Sequence, residues 1–307
     1  MIKLILLTGF LGTGKTTLLK QLLSEFKDEK IGVIVNEFGQ INIDGTLVEK
    51  EGVKMTELTN GSIFCACIKD NFVNSLIALS KEDISYFFIE ASGLADPASM
   101  SHILEGISPN TKVPYDYRGS VCVLDAETFL DYYDLLPALH QQVAYGGAII
   151  VNKVDLVDEE KLSDVLEKLS SINNTSPIYV TTYCKVDFRK LIDELRVPDK
   201  PGEESSNTVE SRPKTFTLVA DEIVPRKPLE EFLHGLQDGA YRIKGFANTE
   251  EGTVYISGVK NHMEIVPWNE PVKQTEIVVI SAVGIRMMSM ITSGLKGGLK
   301  NILNISL

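Results

Sequence analysis

The chain has 307 residues, 44% of them hydrophobic and 23% charged, which is enough for a sizeable core and suggests two domains. A formal charge of −12 repels phosphate backbones and argues against nucleic-acid binding through the overall field, while leaving room for a local basic pocket. Four cysteines (Cys65, Cys67, Cys122 and Cys184) are too few for a disulfide framework at this length and fit reduced thiols in a cytoplasmic protein.

The opening stretch Met1–Gly9 is apolar with one lysine. It is too short for a signal peptide and runs directly into a glycine-rich loop. No stretch reaches the ~18 apolar residues needed to cross a membrane, so a soluble protein with no membrane partner is expected.

In chain order, compact apolar runs at Ile2–Thr8, Ile31–Asn36, Tyr86–Ile89, Ser120–Leu124, Ala148–Val151 and Ile178–Val180 read as buried strands. Helical stretches at Lys15–Glu25, Phe72–Lys81, Ala98–Gly106, Glu159–Ser170 and Phe188–Leu195 fall between them. Such alternation predicts an α/β fold, a mostly parallel sheet covered by helices on both faces. Residues 198–213, PDKPGEESSNTVESRP, hold three prolines and almost nothing apolar, and read as a linker. Beyond it, strands are expected at Lys214–Val219, Tyr241–Ala247, Thr253–Ser257, Met263–Pro267 and Glu276–Ser281, with helices at Pro228–Gln237 and Gly284–Ser293. The expected organisation is a domain over 1–197, a linker over 198–213 and a small α+β domain over 214–307.

Three motifs carry chemistry. Gly9-Phe-Leu-Gly-Thr-Gly-Lys-Thr16 fits G-x-x-x-x-G-K-[ST] and joins a strand to a helix, the context that gives the motif meaning. Gly9, Gly12, Thr13, Gly14 and Thr17 would present backbone N–H groups to a phosphate chain. Lys15 would reach the β/γ-phosphates, and the Thr16 hydroxyl would hold Mg²⁺. Glu90-Ala-Ser-Gly93 places an acid at a strand end, suited to the Mg²⁺ shell or the attacking water, with Gly93 offering an N–H near the γ-phosphate. The bland alternative is that Glu90 merely caps the following helix.

Asn152-Lys-Val-Asp155 ends another strand. Asp155 can accept hydrogen bonds from the N1–H and 2-amino group of guanine, a donor pair adenine lacks. Asn152 and Lys153 would brace the loop and cover the ring. The backbone of Thr181–Cys184 is a weaker candidate for the base edge. Together the motifs predict a GTP-binding and GTP-hydrolysing protein that uses GTP/GDP and Mg²⁺.

The segments GFLGTGKTTL, VNEFGQINIDGTLV, ELTNGSIFCAC, IEASGLADP and NKVDL occur in the order seen in CobW-like GTPases, relatives of the nickel-insertion GTPases HypB and UreG. The chain resembles that family over nearly all of the first domain and more faintly beyond it, through Tyr241–Phe246 and Trp268. The resemblance implies a metallochaperone or metallocofactor-insertion GTPase, acting on a metalloenzyme or cofactor-dependent client, with a possible GTP-dependent homodimer. The family's Cys-x-Cys-Cys is altered: the corresponding positions are Ser62, Phe64 and Cys65, with Cys67 added.

Two thiols two residues apart can share one soft ion such as Zn²⁺, Co²⁺ or Ni²⁺, but they supply half a tetrahedral set. Glu37, a second subunit or the client would have to complete it. His102, His140, His234 and His262 are scattered and read as ordinary side chains. The competing reading is a GTP-dependent switch for a corrinoid or other metalloenzyme client without free-metal transport. A small-molecule kinase is disfavoured by the guanine-type loop.

Overall fold

The structure is a computed structural model that describes residues 1–36, 54–58, 69–93, 95–198, 213–259, 262–270, 272–296 and 299–306. Most of the expected linker, residues 199–212, lies outside the described residues, as do Glu37, Cys65 and Cys67. The described residues form two compact units, one ending at 198 and one beginning at 213.

The first unit is built on seven strands: β1 (Ile2–Thr8), β2 (Ile31–Asn36), β3 (Lys54–Leu58), β4 (Tyr86–Glu90), β5 (Tyr115–Asp125), β6 (Ala148–Asn152) and β7 (Ile178–Val180). Their spatial order is β3-β2-β4-β1-β5-β6-β7, and every neighbouring pair is parallel. The helices are α1 (Lys15–Glu25), α2 (Lys69–Leu79), α3 (Met100–Ile107), α4 (Phe129–Tyr133), α5 (Pro137–Ala144), α6 (Glu159–Ile172) and α7 (Phe188–Glu194).

Strand β1 shows why its sequence is apolar almost throughout. Ile5 and Leu7 pack into a core with Leu18, Leu19 and Leu22 of α1 and Leu191 of α7. Leu4 and Leu6 point to the opposite face, against Phe72 and Leu76 of α2 and Met100 and Ile103 of α3. A parallel strand covered on both faces has no solvent side to make polar. Each such side chain contributes about 1.5–3 kcal/mol of burial.

Two helix starts remote from the motifs are closed by their own side chains. Asp158 accepts the Lys161 N–H at 2.8 Å to cap α6, and Asp187 accepts the Lys190 N–H at 3.0 Å to cap α7. Helix α1 begins at Gly14 with φ 114° and no side-chain cap. The donors of its first turn therefore face the loop before it.

The elements differ from expectation in specific places. β5 begins at Tyr115 rather than Ser120, because Arg118 is an extra residue: Leu4 pairs with Tyr117 and Ile5 with Gly119, at φ 123°. That bulge hides the first half of the strand from a period-two reading. β3, KMTEL, was not expected; it holds only two apolar residues, yet its backbone pairs with β2 from Gly32↔Lys54 to Asn36↔Leu58. α4 and α5 were also unforeseen. They are short, and α5 opens at a proline that the sequence pattern reads as a break.

The second unit has strands β8 (Thr215–Ala220), β9 (Ala240–Thr249), β10 (Gly252–Val259), β11 (His262–Pro267), β12 (Thr275–Ser281) and β13 (Asn304–Ser306), and helices α8 (Arg226–Leu236) and α9 (Arg286–Gly294). The sheet runs β11-β10-β9-β12-β8-β13, with every neighbouring pair antiparallel. Leu229, Phe232, Leu233 and Leu236, spaced as one helical face, pack α8 onto Phe216, Ile243, Ile256 and Val279. Met287 and Ile291 bring α9 onto the same core.

Candidate functional site

All the strand ends that carry motifs lie at one edge of the parallel sheet, because parallel strands share a carboxyl end. β1 delivers the phosphate loop, β4 ends in Glu90, β5 ends in Asp125, and β6 ends in Asn152.

The loop's glycines are required by space as well as by φ. A Cβ on Gly9 would lie 2.1 Å from the Val123 carbonyl oxygen, and one on Gly14 2.6 Å from Asn152 Nδ2. The positive φ values of 135° and 114° at these two positions add strain for any other residue. Gly12 also turns at positive φ, and Thr13 closes the loop by donating its hydroxyl to the Phe10 carbonyl at 3.0 Å. The Lys15 ammonium lies within the loop, donating to the carbonyls of Gly9 at 2.8 Å and Phe10 at 2.9 Å, with the residue 8% exposed. A buried cation beside glycine backbone and the start of a helix is an arrangement able to hold polyphosphate. Thr16 and Thr17 follow in the first turn of α1, both half-buried.

Across the cradle, the Thr16 hydroxyl donates to Glu90 Oε1 at 2.7 Å. Glu90 is 3% exposed and reaches α1 from the end of β4. It does not cap the following helical turn; Asp96 does, accepting the Ala98 N–H at 3.0 Å. A hydroxyl and a carboxylate in contact are hard oxygen donors suited to Mg²⁺. Gly93 lies against the phosphate loop, where a Cβ would meet Leu11 N at 2.8 Å.

The loop after β6, the candidate for base reading, is tied to the loop after β1 by the Asn152 side chain. Asn152 Nδ2 donates to the Thr13 carbonyl at 2.8 Å, while its Oδ1 accepts the Cys184 N–H at 2.9 Å. Asn152 thus bridges the phosphate loop and the turn after β7. That turn is held in the left-handed region at Tyr183 (φ 54°) and Cys184 (φ 56°). Gln21 of α1 donates to the Tyr183 carbonyl. Lys153, also left-handed at φ 60°, extends its ammonium to Asp125 Oδ2 at 2.7 Å. Asp155 occupies the short turn Val154–Leu156 and is exposed. An open carboxylate at this edge can meet a base from solution.

Sequence reading missed Asp125, which orients Lys153, and Gln142, whose amide bonds the loop after β4. Asp125 carried a signal, since it ends an apolar strand as Glu90 does. Gln142 carried none, lying in an unforeseen helix. Cys122 and Cys184 are fully buried, and burial pushes each thiol up to about 12, so both remain protonated near neutrality. Among the described residues no cluster of three or more His, Cys, Asp or Glu side chains could hold a metal, and no helix is long and apolar enough to cross a membrane.

The family profile described as "CobW/HypB/UreG, nucleotide-binding domain" matches residues 3–180, and "Cobalamin synthesis protein cobW C-terminal domain" matches 214–297. The zinc chaperone YjiA of Escherichia coli K12 is 29% identical over 287 residues, covering 87% of this chain and 88% of that protein. The zinc-regulated GTPase metalloprotein activator 1 of Saccharomyces cerevisiae is 30% identical over 217 residues, covering 61% of this chain and 50% of that protein. The crystal structure of Zn(II)-bound YjiA GTPase from E. coli aligns with a TM-score of 0.48 at 20% identity, over 96% of this chain and 99% of that one. The chain belongs to the CobW/HypB/UreG family and is a GTPase.

Proposed function

We propose that this GTPase is a cytoplasmic metallochaperone that couples GTP hydrolysis to delivery of Zn²⁺, or a similar divalent ion, to a metal-dependent client protein. The observation that carries the nucleotide half is the contact of Thr16 with Glu90 beside the buried Lys15. The metal half is supported by relatives named for zinc. The chain spans most of the E. coli relative but half the length of the yeast one.

The mechanism follows from the placement of charge. Lys15 holds the β/γ-phosphates inside the glycine loop and offsets the negative charge that grows on the leaving diphosphate. The first-turn N–H groups of α1 add donors aimed the same way. Thr16 and Glu90 would hold Mg²⁺, which supplies a hard cation for charge neutralisation at the phosphates. Gly93 offers its N–H at the γ-phosphate, where a side chain would strike Leu11. Asp155 reads guanine, and Asn152 fixes its loop to the phosphate loop so that base and phosphates are held in one register. Turnover by the isolated protein is expected to be slow, because GTPases gain speed from an added group.

For the cargo, the proposed ligands are Cys65, Cys67 and Glu37, with the remaining donors from a second subunit or the client. Support comes from β2 and β3, whose paired ends at Asn36 and Leu58 lead into the segments carrying these residues. A GTP-dependent homodimer would bring two thiol pairs together and complete a four-sulfur set. The domains proposed are 1–197 and 214–307, joined by 198–213.

The test is a Zn²⁺ titration of the reduced protein, with GTP or GDP, beside the Cys65→Ala/Cys67→Ala variant. Wild type should bind at least about tenfold more tightly, since two thiolate ligands are lost in the variant. Equal and weak uptake by both proteins would overturn the cargo assignment and leave the GTPase intact.

A further inference from the structure

One buried amide holds the loop that follows β4. Gln142 lies on α5 and is 0% exposed. Its Nε2 donates to the Ala95 carbonyl at 2.8 Å and to the Gly93 carbonyl at 3.2 Å. The Ala95 N–H donates to the Ser92 carbonyl at 3.0 Å, closing the same turn. Both amide N–H bonds are thus given to one loop. The amide oxygen, Oε1, is buried with no partner among the described residues.

That pairing has a physical meaning. An unpaired buried oxygen opposes folding, and an apolar side chain of the same shape would avoid it. The two bonds from the nitrogen account for an amide at this position. The opposite orientation is excluded, since it would set Oε1 against two carbonyl oxygens. The loop so held presses on the phosphate loop: a Cβ on Gly93 would lie 2.6 Å from Leu11 Cδ2.

We propose that Gln142 is a positioning residue for γ-phosphate recognition. By fixing the carbonyls of Gly93 and Ala95, it sets the Gly93 peptide against the phosphate loop and governs preference for GTP over GDP without touching nucleotide. The inference rests on the reading of Gly93 as the γ-phosphate contact. The amide's own hydrogen bonds end on Gly93 and Ala95, and none ends on the glycine loop or the guanine-type loop that GDP also uses.

The experiment uses the full chain with Mg²⁺. Gln142→Glu keeps the shape but turns the donors into oxygens facing two carbonyls. Gln142→Met keeps the length with no polar atom and serves if the charged variant does not fold. Affinities for GDP and for a non-hydrolysable GTP analogue are measured with kcat and KM, and Gly93→Ala is the reference.

GDP affinity should stay within about twofold of wild type, because the two hydrogen bonds lost end on Gly93 and Ala95 and not on the glycine loop that holds the inner phosphates. Affinity for the GTP analogue should fall about tenfold with the loss of two hydrogen bonds, and kcat should fall by more than KM rises. Equal losses for GDP and GTP in a folded variant, or an unchanged preference, would overturn the proposal. In that event the reference separates the causes. If Gly93→Ala still lowers the preference, Gln142 alone is wrongly assigned; if it does not, the γ-phosphate reading fails as well.

Discussion

The two units use β-sheet in opposite ways. In the first, seven parallel strands bring all their carboxyl ends to one edge, so residues as far apart in the chain as Thr13, Glu90, Asp125 and Asn152 reach a single site. In the second, six antiparallel strands alternate direction, so no edge collects comparable ends. Its α8 and α9 cover one face and build a core. The contrast shows why the chemistry of the chain is concentrated in the first unit, and why the second is better suited to offering a face or an edge than a catalytic constellation.

The largest expected effect breaks the chemistry while sparing both folds. Lys15→Ala removes the cation from the glycine loop and should lower kcat by about 10²–10³-fold, on the scale of losing a preorganised charge-stabilising donor. Steady-state phosphate release measures it. Near wild-type turnover would show that the active site is misplaced.

The converse change damages the second unit alone. Leu233 is fully buried between α8 and the sheet, and Leu233→Ala should destabilise that unit by about 2–5 kcal/mol through lost burial and a residual cavity. The single tryptophan of the chain, Trp268, lies in this unit with its ring tilted against Phe246 at 5.0 Å between centroids, so its fluorescence reports the loss directly. GTP turnover below the transition should stay within about twofold of wild type, as expected if the two units are energetically independent. A matching collapse of turnover would show that the two units are energetically one.

Much of this contrast was legible in the sequence, and the exceptions have physical causes. The phosphate loop was readable because its glycines are forced by space: Gly9 faces a carbonyl and Gly14 faces Asn152. Strands buried on both faces, such as β1, β4 and β6, announce themselves as unbroken apolar runs. β3 did not, because only two of its five residues are apolar and the feature that places it is backbone pairing to β2. Half of β5 was concealed by the bulge at Arg118. The partners of Gln142 and Asp125 were hidden for another reason, although Asp125 shows its place at the end of an apolar strand. The roles of these two residues consist of hydrogen bonds to residues 28 to 49 positions away, which no local pattern records.

The smallest expected effect sharpens the comparison through pH. All four cysteines of the chain precede residue 214, and burial raises Cys122 and Cys184, both in the first unit, from 9.0 to about 12. An unfolded chain releases these protons near pH 9, whereas the folded one holds them to about pH 12. The unfolded state therefore binds fewer protons in that window. The thiols' contribution is fully present below pH 9 and is lost as pH rises toward 12, by on the order of 1 kcal/mol per pH unit for each. Tyr115, Tyr117, Tyr133 and Tyr179 of the first unit and Tyr241 of the second are also raised by burial, but from 10.0, so the thiols lead the loss in the lower part of the interval between pH 9 and 10. Across it, urea unfolding followed by loss of GTP turnover should move to lower urea, while Trp268 fluorescence should move less. A Cys122→Ala/Cys184→Ala variant should reduce the first slope, leaving the part owed to the buried tyrosines, and leave the second unchanged. An unaltered slope in that variant would mean that the alkaline sensitivity lies with other groups.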